Sequence, residues 1–307
     1  MGIPPVIAVF GPTAIGKTSV AIALAGLLAE RGEDAVAINC DSIQVYDGLE
    51  VISGAPSAED REALEHRLVG FVPIDEEFSA GRFGARAREE IDGAIAAGRR
   101  PILVGGTGLY LRAALTDLEM RPPVAEVVRV EVEEEIETRG PAALHAELPA
   151  ELVERVHPND RKRIARLTEL VRSGIEPAPD HEGGGELWTA SFRHPTLLVG
   201  LVEDDEPLVA KIRARVDAMA RAGAAEEAGR ALASGAARTV RAAIGFDEFR
   251  AGDLERIVIL HRRFGRRQMT WMRRMEGVEV LDRTGLADRE AASQILELAD
   301  QIPSRVA

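Results

Sequence analysis

An α/β protein with a parallel sheet core and an all-helical segment inserted into it is the fold class that this sequence predicts, on three observations. Short apolar runs alternate with helical patterns through the first third of the chain, as βαβ units require. The first of these runs leads into a glycine-rich, lysine-bearing loop that opens a helix. From about Leu118 to Pro195 the apolar runs stop and only helical periodicity is left.

Taken in order, Val6 to Phe10 is a short apolar run suited to a buried strand, and Ser19 to Arg31 is an Ala/Leu-rich helix ended by Gly32. A strand follows over Ala35 to Cys40, then a helix over about Ser79 to Ala97 and a strand over Pro101 to Val104. Within the insertion, Glu126 to Arg139 is helical, and a further helix is opened by Asn159 or Asp160 as cap and closed at Gly174. Glu176 to Gly185 carries two prolines and three consecutive glycines and is expected to be a flexible loop. Thr196 to Val202 returns to a strand pattern, and Pro207 suits the first turn of the helix from Leu208 to about Ala222. Helical segments then reach Met275, and the end after Gln301 is expected to fray. The domain expectation is a first core part over 1–117, an insertion over 118–195 and a core completion over 196–307.

Gly11, Pro12, Thr13, Ala14, Ile15, Gly16, Lys17 and Thr18 read GPTAIGKT, the phosphate-loop pattern, which makes the core phosphate-loop NTPase-like. The glycines let successive backbone N–H groups point inward at an anion, Lys17 adds a charge, and the Thr18 hydroxyl suits Mg2+. A loop of this kind binds a phosphate or pyrophosphate. Ligands in such sheets lie beyond the carboxyl ends of the strands, where the loop, Asp41 to Tyr46 (DSIQVY) and Gly105 to Tyr110 (GGTGLY) are all expected to converge. Asp41 has three open uses: a magnesium ligand, a turn cap, or the acceptor of a nucleophile's proton. Thr107 offers a hydroxyl and an N–H to an anionic leaving group, or serves only as a helix N-cap.

Composition narrows the class. No apolar window approaches a membrane span and no signal peptide opens the chain, so a cytoplasmic protein without membrane association is expected. Cys40 is the single cysteine, which excludes an internal disulfide and a multi-cysteine zinc site and reads as a core residue. The net charge of −13 argues against nucleic acid, but its distribution is uneven. Glutamates crowd Glu119 to Glu154, while arginines and lysines gather at Arg161 to Arg166 and again at Arg262 to Arg274. In a helix Arg262 and Arg266 share one face and Arg263 and Arg267 the adjacent one. Each cluster reads either as a solvated face or as a polyanion site.

Together and in order, GPTAIGKT, DSIQVY, LVGGTGLYL at 103–111, HPND at 157–160, IGF at 244–246 and RRQMTW at 266–271 resemble the tRNA dimethylallyltransferase (tRNA isopentenyltransferase) family along essentially the whole chain. The resemblance implies transfer of a dimethylallyl group from dimethylallyl diphosphate to the exocyclic amine of the adenosine 3′ of the anticodon in tRNA, with release of pyrophosphate. It casts Asp41 as the base, Thr107 as the contact to the bridging oxygen, and Arg215 as a further charge on the diphosphate. The loop from Gly11 to Thr18 holds the diphosphate with Mg2+. Asp41, Ser42, Ile43, Gln44 and Thr107 would meet the tRNA, as would Lys162, Arg163, Ile164, Ala165 and Arg166 in the insertion. A monomer is expected. Ile52 to Ser57 stands where the family commonly has Gly-Thr-Ala-Lys-Pro, and Asp160-Arg161-Lys162-Arg163 where it has Asp-Pro-Gln-Arg.

Three other readings compete. A relative acting on free adenine nucleotides would share the donor but has no need of a basic helical subdomain. A small-molecule kinase or nucleotide-binding protein is supported by the phosphate loop alone. A noncatalytic tRNA-binding descendant of the family is the third.

Overall fold

The computed structural model describes residues 4–118, 124–177 and 185–303. The chain opens with β1 (Val6–Phe10), α1 (Lys17–Glu30) and β2 (Ala35–Asn39), then passes through the short α2 (Glu50–Ser53) and α3 (Ala58–Ala63) to β3 (His66–Arg67). Next come α4 (Ala80–Ala96), β4 (Arg100–Gly105) and α5 (Gly108–Leu115). After the insertion run α10 (Gly185–Trp188), β5 (Thr196–Val202), α11 (Asp205–Arg221), α12 (Ala224–Ala233), α13 (Arg238–Arg241), α14 (Phe246–Ala251), α15 (Leu254–Arg274), β6 (Val278–Asp282) and α16 (Asp288–Ala299).

The six strands form one parallel sheet in the order β3-β2-β4-β1-β5-β6. Every residue of β1, β2 and β4 is buried, as continuous apolar strands in a sheet covered on both faces must be. One face packs α1 and α16 through Leu24, Leu28, Ile295 and Leu296, and the other packs α4, α5, α11 and α15 around Phe10, Phe83, Leu111 and Val216. Cys40 lies in this core, where burial pushes its thiol up.

The alternation of strands and helices is present as expected, with ends displaced by a few residues. β3 and β6 are additions that the sequence pattern does not announce. Two residues carry no periodicity, and β6 is an edge strand of which only Leu281 is buried.

The insertion is a compact unit of its own over Glu119–Gly185. Its helices α6 (Glu126–Arg139), α7 (Pro141–Glu147), α8 (Ala150–Val153) and α9 (Arg161–Arg172) enclose a core of Val132, Ile136, Leu144, Leu152, Ile164 and Leu167. The domain expectation ran on to 195, but 186–195 group with the sheet unit. The Trp188 ring lies 4.8 Å from Trp271 of α15, and Arg193 pairs with Asp92 of α4 at 3.0 Å. Residues 178–184 of the expected flexible loop, and the chain end beyond 303, lie outside the described residues.

Candidate active site

The phosphate loop is shaped to leave its donors open. Ala14 (φ 66°) and Gly16 (φ 87°) take the left-handed conformation, which turns the backbone around an anion; for Ala14 this costs roughly 1–2 kcal/mol. α1 starts at Lys17 with no side-chain cap and no acidic residue in its first turn. Its first N–H groups and its dipole are therefore free for a bound anion. The Lys17 ammonium donates to the carbonyls of Gly11 and Pro12, both at 3.0 Å. Desolvation lowers its pKa to about 8; Asp41 opposes the shift and Arg215 adds to it. The Thr18 hydroxyl has no hydrogen bond among the described residues, so a hard cation that keeps waters and phosphate oxygens as ligands, such as Mg2+, fits it.

The segment after β2 faces the loop. Asp41 Oδ1 accepts the N–H of Ile43 at 3.0 Å, an Asx turn that fixes the carboxylate. The turn-cap use is therefore real, but it occupies one oxygen. Oδ2 makes no hydrogen bond among the described residues and remains available to accept a proton. Asn39 steadies the turn, accepting the Asp41 N–H at 3.0 Å and donating to the Leu68 carbonyl at 2.9 Å. Gln44 donates to the Gly54 carbonyl at 3.0 Å, and Arg215 donates to the Ser53 carbonyl at 3.3 Å. Desolvation lowers the pKa of Arg215, and Asp41 works against that shift.

The turn after β4 completes the rim. A Cβ on Gly105 would stand 2.2 Å from the Cys40 carbonyl oxygen, so only glycine lets the two strand ends approach. Thr107 precedes α5 but does not cap it with its side chain. Its hydroxyl accepts the Ser42 N–H at 3.1 Å and donates to the Ser42 hydroxyl at 3.3 Å, which joins this turn to the Asp41 segment.

The structure thus brings the loop, Asp41, Ser42, Gln44, Thr107 and Arg215 together. It places the insertion residues in the other unit. There Asp160 caps α9 by accepting the Arg163 N–H at 3.2 Å, and Ile164 and Ala165 turn into the unit's core. Lys162 and Arg163 are exposed and Arg166 is half-buried, paired with Glu169 at 2.9 Å.

Comparison with known proteins identifies the family. Residues 44–275 match the model of the family described as IPP transferase. The chain belongs to that family. A tRNA dimethylallyltransferase of Anaeromyxobacter dehalogenans is 41% identical over 290 residues, 89% of this chain and 91% of that one. One from Thermobifida fusca is 36% identical over 308 residues, 94% and 93% of the two chains. Among solved structures, the full-length tRNA isopentenylpyrophosphate transferase of Bacillus halodurans superposes with a TM-score of 0.67 at 27% identity, covering 97% of this chain and 95% of that one. A eukaryotic dimethylallyltransferase acting on tRNA shares the fold, with a TM-score of 0.77 at 23% identity over 99% and 81% of the chains.

In this member of the IPP transferase family, two side chains far along the sequence finish the site, and sequence reasoning missed both. Gln268 of α15 is 3% exposed; its Oε1 accepts the Thr13 N–H at 3.1 Å and its Nε2 donates to the Gly106 carbonyl at 2.9 Å. One amide thus ties the phosphate loop to the β4 turn. Arg283, just after β6, donates to the Ile15 carbonyl at 2.7 Å and pairs with Asp288 at 2.8 Å. RRQMTW was visible as a motif, but its glutamine had no assigned task, and Arg283 carried no local signal.

Proposed function

We propose that the chain moves a dimethylallyl group from dimethylallyl diphosphate to the exocyclic amine of the adenosine 3′ of the anticodon in tRNA. The observation that carries this reading is the pairing of an anion-ready phosphate loop with the Asp41 carboxylate, one oxygen of which is free. β4 ends at Gly105, runs on into Gly106 and carries none of the carboxylates that nucleotide hydrolysis uses to hold a metal.

The amine nitrogen attacks the allylic carbon as its bond to the bridging oxygen breaks. The bond's electron pair leaves with pyrophosphate, and the amine proton passes to Asp41 Oδ2. Lys17, the α1 N–H groups and Arg215 face the oxygens that gain charge. The Thr107 hydroxyl, held beside Ser42, would meet the bridging oxygen. Mg2+, held through Thr18, would add positive charge on the diphosphate. Reaching a stacked base means extruding it into the pocket.

For the acceptor, the separate helical unit supports RNA over a free nucleotide. Lys162 and Arg163 are its candidate contacts, and on the sheet unit the exposed Arg262, Arg263, Arg266, Arg267 and Arg273 of α15 supply a larger basic face. Among the described residues no helix is long and apolar enough to cross a membrane. Nucleoside mass spectrometry after incubation with dimethylallyl diphosphate and unmodified tRNA tests the reading, and dimethylallyl-adenosine is the expected product. Lys17-dependent ATP hydrolysis without prenyl transfer would overturn it.

A further inference from the structure

His261 stands on the face of α15 turned to the phosphate loop, one turn before Gly265, which packs beside Pro12, and two turns before Gln268. It is 7% exposed, and neither ring nitrogen has a hydrogen-bond partner. A neutral imidazole carries one N–H and one lone pair, so burial here leaves a donor and an acceptor unanswered. The Nε of Arg215 is buried and unpartnered in the same way. The two are neighbours, because α11 packs against α15 and the Arg215 guanidinium acts on the ring. Arg215 is coupled in turn to Asp41 and to Lys17. Unanswered donors from two helices beside a phosphate loop are what an anion with several oxygens satisfies.

We propose that His261 is a further donor-binding residue, giving a ring N–H to the diphosphate that the phosphate loop and Arg215 hold. The inference rests on the reading of this pocket as a diphosphate site. Electrostatics give the contact a signature. Burial first, and Arg215 second, push the His261 pKa down to about 4, so the ring is neutral in the free protein near neutral pH. Of the other charges on the elements packed against α15, Asp205, Glu206, Asp217 and Arg221 of α11 are exposed. On α11, Arg213 pairs with Glu255 and Lys211 with Glu203. On α14, Asp247 pairs with Arg250 and Glu248 accepts the Gly245 N–H. On α5, Arg112 lies over Phe192. A bound diphosphate brings negative charge to the ring and reverses the sign of its surroundings, so that it protonates at higher pH than in the free protein.

The full chain and inorganic pyrophosphate test this. Nitrogen-15 NMR of the His261 ring should show its titration move up by at least about one pH unit on saturation with pyrophosphate. In calorimetry across buffers of different ionisation enthalpy, the wild type should take up more protons than His261→Asn, a difference that cancels the ionisation of pyrophosphate itself. His261→Leu should weaken pyrophosphate binding by about tenfold at pH 6 and by less at pH 8. A ring titration that pyrophosphate does not move overturns the proposal. So does a His261→Leu protein that binds pyrophosphate as tightly as the wild type, the behaviour of a plain core histidine. If that variant does not fold, the wild-type ring titration decides. Neither measurement uses RNA or the allyl group. A moved ring without prenyl transfer therefore sinks the proposed function alone, and prenyl transfer with an unmoved ring sinks this assignment alone.

Discussion

The two arginine-rich helices, α9 in the insertion and α15 in the sheet unit, look alike in sequence and differ in how their charges are engaged. On α9 and beside it, carboxylates already hold most of the positive charge. Arg161 pairs with Glu133 and Glu137, Arg163 with Asp160 at 3.7 Å, Arg166 with Glu169, and Arg172 with Glu135 at 2.6 Å. On α15, Arg262, Arg263, Arg266 and Arg273 have no carboxylate partner among the described residues, and Arg267 lies over the Phe264 ring. The opposite face of α15 is buried, carries Gly265 and Gln268 to the phosphate loop and includes His261. A count of basic residues therefore overstates the free charge of α9 and understates the importance of α15. The glutamates that give the chain its net charge of −13 are spent in part on internal pairing.

The strongest way to break this contrast is to find chemistry in the insertion. Asp41→Ala should lower turnover by ~100- to 10,000-fold with stem-loop affinity within a few fold, whereas replacing Lys162, Arg163 and Arg166 with Ala should spare turnover at saturating RNA. A loss below about tenfold for Asp41→Ala would leave that residue its turn-capping task alone. Stem-loop binding across salt sharpens the contrast next. Replacing Arg262, Arg263, Arg266 and Arg267 with Ala should flatten the salt dependence by roughly three slope units, at about 0.7 to 0.9 per lost phosphate contact, and the insertion triple by about one to two. Equal or reversed losses would return the main RNA contact to α9.

The pocket's own charges predict a smaller effect. Lys17 attracts the diphosphate as an ammonium, and its pKa in the free protein is about 8. Pyrophosphate affinity should be full below that pH and decline by up to about tenfold per unit above it, a limb that Lys17→Met should flatten. The smallest change expected comes from releasing the paired arginines. Glu133→Gln and Glu135→Gln together should strengthen stem-loop binding a few fold and steepen its salt slope, since Arg172 loses its carboxylate and Arg161 one of its two. No change in affinity would mean that α9 lies away from the RNA.

What sequence could reveal divides along chain distance. β1, β2, β4 and β5 are continuous apolar runs, and the phosphate loop is a local pattern, so both could be read directly. The convergence of Asp41 and Thr107 follows from the rule for strand ends in parallel sheets and needs no contact to be known. The ties that lock the rim were beyond reach. The amide of Gln268 meets Thr13 across 255 positions, and nothing local distinguishes it from a solvated glutamine. Ile164 and Ala165 were read as part of a contact stretch because the motif was taken as a string. The helix it forms turns every third or fourth residue inward.

Arg283 gives the timing of assembly an unusual form. The phosphate loop is made before most of the sheet around it, yet the guanidinium that holds its Ile15 carbonyl lies 268 positions later, beyond the edge strand β6. β1 likewise waits for β4 and β5, its neighbours on either side. At about 5–20 residues per second of synthesis, the loop stays unfinished for tens of seconds after it leaves the ribosome. A nascent chain stopped short of Arg283 would carry the whole GPTAIGKT motif and still lack the brace that shapes it. Retention on immobilised pyrophosphate would therefore distinguish finished chains from arrested ones.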